Sequence, residues 1–113
     1  MKQILLIICI LILPVACSED EKAALDLTVN PSFIEFDNTE STKKIYVSSN
    51  TSWTSSSNRG WCAASVTQKI GDETVDIMVQ ENTEDERIAY ISFTNVEKTI
   101  IKTVKIIQKP AER

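Results

Sequence analysis

The sequence predicts an all-β protein in which about seven short strands form two sheets packed face to face. Three observations predict it. Beyond residue 24, apolar residues recur at every second position, the period of a half-buried strand, and no stretch keeps a helical period. The alternating runs are rich in Val, Ile and Thr, whose branched side chains suit a pleated surface. Polar segments typical of turns separate one run from the next.

Taken in order, LDLTV (25–29) and FIEF (33–36) flank Asn30 and Pro31, a pair that bends the chain and ends the first strand. KKIYVSS sets Ile45 and Val47 on one face and Tyr46 on the other. A loop rich in Ser, Thr and Asn is expected over 48–60, containing Trp53 and leading to Trp61. TVDIMVQ turns Val75, Ile77 and Val79 inward and leaves Asp76 and Met78 outside. RIAYISF gives Ala89, Ile91 and Phe93 to the interior and Ile88, Tyr90 and Ser92 to solvent. The last run, KTIIKTVKIIQK, opposes Val104 and Ile106 to Lys105 and Ile107. It pairs antiparallel with RIAYISF through a hairpin over 95–97.

The start of the chain reads differently. After Lys2 comes ILLIICILIL, ten apolar residues ending at Pro14, which is half of the roughly 20 residues that a membrane-spanning helix needs. That pattern is a secretory leader, expected over residues 1–16. Ala16 before Cys17 resembles the lipobox cut by lipoprotein signal peptidase, although Pro14 stands where Leu is usual. The resemblance implies that Cys17 is lipidated and that acyl chains hold the protein to the membrane, each buried methylene contributing about 0.8 kcal/mol. The acidic tether 17–24, opening Ser18, Glu19, Asp20, Glu21, resembles the surface-export signal of Bacteroidetes lipoproteins. It implies an outer-membrane protein facing the medium, and a solvated linker on a periplasm-facing lipoprotein is the alternative.

Without residues 1–16, 97 of the 113 residues remain, enough for one domain over 25–109 and a short tail at 110–113. These residues carry 11 basic and 16 acidic side chains and no basic patch, which argues against nucleic acid and against an anionic membrane surface as partner. Cys62 is then the one cysteine left for the domain, so no disulfide is expected. It reads as a small buried hydrophobe, and with no His in the chain it lacks a base to act as a nucleophile. Two glycines, Gly60 and Gly71, cannot make a phosphate-cradling loop. The acids of ENTEDER (81–87) and the pair Asp72 and Glu73 read as solvated turns. Glycoside hydrolysis needs two carboxyls held across a cleft, and calcium needs a ligand pattern that is missing here. No catalytic residue, cofactor or metal is expected.

VSSNTSW (47–53), Trp61, IMVQEN (77–82), Arg87 and the closing VKIIQ (104–108) occur in an order that resembles the BACON domain, a Bacteroidetes-associated and often carbohydrate-binding module. The resemblance covers about 25–109 and implies an immunoglobulin-like β-sandwich. In that family such modules are commonly joined to glycoside hydrolases, and here the module stands without one. It also implies that Arg87 orders its loop by bonding backbone carbonyls or a carboxylate.

Four aromatic residues are candidates for stacking on the apolar face of a sugar: Trp61, Tyr46, Tyr90 and Trp53. Trp53 also reads as a plug for one end of the sandwich, given the area an aromatic side chain buries. Tyr46 and Tyr90, with Met78, Ile88 and Ile107, are expected to form an outward apolar strip on one sheet. Two functional readings follow. One is a surface lipoprotein that binds glycans of mucin or dietary polysaccharide. The other is a spacer or accessory subunit whose strip docks another outer-membrane or secreted protein.

Overall fold

Each alternating run contributes a strand with its alternate apolar residues inward, except that the first begins at Leu27 rather than at residue 25 and leaves Leu25 exposed, and the Ser/Thr-rich middle of the chain adds further strands. The computed structural model describes residues 24–112, so Cys17, the leader and nearly all of the tether lie outside the described residues. Nine strands follow: β1 Leu27–Asn30, β2 Phe33–Phe36, β3 Ser41–Ser49, β4 Ser52–Ser57, β5 Cys62–Ala64, β6 Gln68–Ile70, β7 Glu73–Val79, β8 Arg87–Asn95 and β9 Ile101–Gln108. They form a sandwich of a four-stranded sheet, ordered β1-β3-β7-β5, and a five-stranded sheet, ordered β2-β9-β8-β4-β6. Among the described residues no helix is long and apolar enough to cross a membrane.

All strand pairs are antiparallel except β2 with β9, which run parallel at one edge. The bend at Asn30–Pro31, a cis peptide, passes the chain from the first sheet to the second, so β1 and β2 lie in different layers. Register follows the apolar pattern. Ile45 faces Val75 across β3 and β7, and Ala89 and Ile91 face Ile106 and Val104 across β8 and β9. A slip by one residue would turn each set to water, so burial of one face fixes the pairing.

The largest enclosed side chains are Trp53, Phe36, Phe93 and Leu27, packed among Ile45, Val47, Val75, Ile77, Ile91, Val104 and Ile106. Trp53 meets Phe93 edge to face, with ring centroids 5.5 Å apart, and its Nε1 donates to the Gly71 carbonyl at 2.8 Å. Gly71 holds φ at 88° between β6 and β7, a left-handed conformation that a side chain would strain.

The segment 48–60 departs from the expected loop, because residues 52–57 are β4. In it Trp53 turns inward, while β8 and β6 satisfy the backbone on the two sides. Hydroxyl side chains suited to water occupy the outer face, which is why composition suggested a turn. The hairpin between β8 and β9 is present but longer than 95–97, since β9 begins only at Ile101. The buried Asn95 replaces the missing ladder: its Oδ1 accepts from the amides of Thr99 and Ile100 at 2.9 and 2.8 Å.

Candidate functional site

The turn through Gly60 and Trp61 leads into β5 and is closed by the Gln80 amide, which donates to the Trp61 carbonyl at 2.9 Å. The indole is half-buried against the core, and the Arg87 guanidinium lies 4.2 Å over its ring centroid. Arg87 is itself held on several sides. Its Nε donates to Gln108 Oε1 at 2.8 Å, and one Nη donates to the carbonyls of Gln80 and Glu81 at 3.0 and 3.1 Å. Gln108, fully buried, donates from Nε2 to the same Gln80 carbonyl at 2.8 Å. Burial lowers the Arg87 pKa from its ordinary value, with Glu84 and Cys62 opposing, and the guanidinium remains charged. Arg87 thus bonds backbone carbonyls, one of the two roles expected of it.

Beside the fixed indole opens a groove of about 530 Å³, lined by Glu40, Ser41, Thr42, Trp61, Met78 and Gln80 among others. One ring, one thioether, two hydroxyls, an amide and a carboxylate converge there. That set suits a ligand with both an apolar face and many hydroxyl groups, because the ring removes apolar area from water while the polar groups exchange hydrogen bonds. Cys62, next to Trp61, is buried, and burial pushes its thiol up to about 11 while Arg87 opposes weakly. It is therefore protonated at neutral pH and packs as a hydrophobe.

The other stacking candidates lie elsewhere. Trp53 is 0% exposed and offers no ring face to a ligand. Tyr46, 48% exposed, stands on the outer face of the four-stranded sheet; its phenol is raised above its ordinary value by desolvation first and by Asp72 second. Tyr90 stands on the outer face of the five-stranded sheet. The single strip expected from Tyr46, Tyr90, Met78, Ile88 and Ile107 is therefore divided. Tyr46 and Met78 belong to one layer, and Tyr90, Ile88 and Ile107 to the other, because β8 pairs with β9 and β4 and not with β3 or β7. Alternation gives the side of a strand but not its sheet. Sequence reasoning passed over Phe33, a 51% exposed ring at the start of β2, although inward Ile34 and Phe36 already placed it outside.

The acidic turn is organised around the buried Asn82. Its Nδ2 donates to the carbonyls of Asp85 and Lys109 at 2.8 and 2.9 Å, and its Oδ1 accepts from the Glu84 amide at 3.0 Å. Among the described residues no three His, Cys, Asp or Glu side chains come together as a metal would require.

The described residues thus form a two-sheet β-sandwich with this groove on its four-stranded layer. The chain belongs to the BACON family, described as "Putative binding domain, N-terminal", whose profile matches residues 51–109. The match begins inside the span of 25–109 expected from sequence, and β1, β2 and β3, which complete both sheets, precede it. No curated protein matches the chain. Among solved structures, a Bacteroides ovatus GH5 xyloglucanase in complex with a XXXG heptasaccharide is similar at 24% identity and a TM-score of 0.70, covering 79% of this chain and 19% of that one. The periplasmic chaperone SfaE is similar at 10% identity and a TM-score of 0.59, over 77% of this chain and 59% of the chaperone. A protein from Bacteroides thetaiotaomicron is similar at 11% identity and a TM-score of 0.51, over 87% of this chain and 98% of that one. The chain thus spans about a fifth of the xyloglucanase and under two thirds of the chaperone, and the likeness at these identities is one of fold.

Proposed function

We propose that this chain is a lipid-anchored cell-surface protein whose domain binds carbohydrate without performing chemistry on it. The observation that carries the reading is the groove beside Trp61, where an indole fixed by Arg87 adjoins hydroxyl and amide groups. The family's binding role supports it, and so does the likeness to a domain within a xyloglucanase. The apolar leader followed by Ala16 and Cys17 supports the anchor.

The test uses the full chain against neutral plant and mucin oligosaccharides. Binding should weaken about tenfold in Trp61→Ala, the scale set by losing one stacking contact together with its buried apolar area. Unchanged binding in that variant would remove the groove from the reading. Silence across the glycans, with a neighbouring envelope protein recovered by cross-linking, would favour the spacer role instead. Anchoring is checked separately by Cys17→Ser, which should move the protein from the membrane fraction to the soluble one. Retention in the membrane would disprove lipidation at that residue.

A further inference from the structure

The outer face of the five-stranded sheet holds a second arrangement. Pairing of β2 with β9 and of β9 with β8 sets Phe33, Lys105 and Tyr90 side by side in one row. Their neighbours along each strand, Ile34, Ile106, Ala89 and Ile91, are buried, so the row faces outward. At the usual strand spacing of about 4.8 Å, the two aromatic positions are roughly 10 Å apart, with the lysine between them. Phe33 is 51% and Tyr90 41% exposed.

Lys105, at the register position between Phe33 and Tyr90, is half-buried. Among the described residues its ammonium has no ion pair, hydrogen bond or ring contact, whereas Lys44 pairs with Asp76, Lys69 with Glu73, and Lys43 bonds the Glu35 carbonyl. Hydroxyl groups of Ser92 and Thr103 form the adjoining row on one side, and Glu35, Ile107 and Ile88 form the row on the other.

We infer that this row is a binding surface for an acidic saccharide, with sugar rings on Phe33 and Tyr90 and a carboxylate or sulfate at Lys105. Two rings separated by a single strand match alternate residues of an extended oligosaccharide, and the free ammonium supplies the complementary charge. Hydroxyl groups beside the rings meet those of the sugar. A charge at the centre of the patch disfavours a protein partner, because the core of a protein interface is depleted of charged residues. The inference relies on the carbohydrate reading for its class of ligand. It uses the opposite sheet from the groove at Trp61, so the two fail separately.

The experiment titrates oligogalacturonate, its methyl-esterified form and a neutral xyloglucan oligosaccharide into the full chain in detergent, following backbone amides by NMR. Oligogalacturonate should shift amides of β2, β8 and β9, and Lys105→Gln should weaken it about tenfold, as expected for loss of a charge-assisted hydrogen bond. Phe33→Ala, at an exposed position, should weaken both acidic and esterified forms, and Trp61→Ala should leave the acidic one unchanged. Equal affinity of Lys105→Gln, equal affinity for the esterified form, or shifts confined to the Trp61 groove would overturn the inference. Neutral binding at the groove with no acidic binding would overturn it while the carbohydrate reading stands. Silence with all three sugars would overturn both, and a self-associated species that covers Phe33 and Tyr90 would overturn the inference alone.

Discussion

Trp53→Ala should destabilise the fold by about 4 kcal/mol, within the range for a large aromatic truncated in a packed core. The indole is fully enclosed, meets Phe93 edge to face, and spends its one donor on the Gly71 carbonyl at the end of β6. Alanine would leave a void between the sheets and an unpaired carbonyl at a turn already held in a left-handed conformation. A small domain has only about 5 to 15 kcal/mol in total, and the described residues contain no disulfide to compensate. Urea unfolding of the variant should therefore show a midpoint moved sharply downward with a similar slope. Trp53→Phe keeps the ring contact and loses the donor, so its cost should be clearly smaller. Equal losses in the two variants would show that the hydrogen bond, and not the packing, is what matters.

The second large effect is expected at Gln108. Gln108→Leu preserves size and burial but removes the acceptor of Arg87 Nε and the donor to the Gln80 carbonyl. Leaving a donor without its partner costs roughly 1 to 3 kcal/mol, and Arg87 is only partly buried, so the lower end of that range applies. Loss should extend to the groove, because the same guanidinium holds the Trp61 ring. Denaturation together with the fluorescence of Trp61 measures both. A variant that loses stability while the indole spectrum and sugar affinity stay fixed would separate the network from the groove.

Much of the sandwich was legible. Ile45, Val47, Val75, Ile77, Ala89, Ile91, Val104 and Ile106 all alternate with residues that face outward, and all are buried. What was not legible has a common physical cause: periodicity reports the side of one strand, while the sheet a strand joins depends on contacts distant in sequence. Tyr46 and Tyr90 were read as neighbours for this reason, and stand on opposite faces. The strand at 52–57 was hidden because Ser and Thr serve both turns and solvated strand faces. At the candidate site, Trp61 and Arg87 were visible as residues, but their stacking was not. It arises from the turn before β5 meeting the start of β8, which no local pattern encodes.

The parallel edge of the five-stranded sheet bears on mechanics. The chain enters β2 at Phe33 and leaves β9 at Gln108, at opposite ends of one shared ladder. Tension applied to those two points loads every rung at once along the strand axis, so this seam resists by sliding and does not peel open bond by bond.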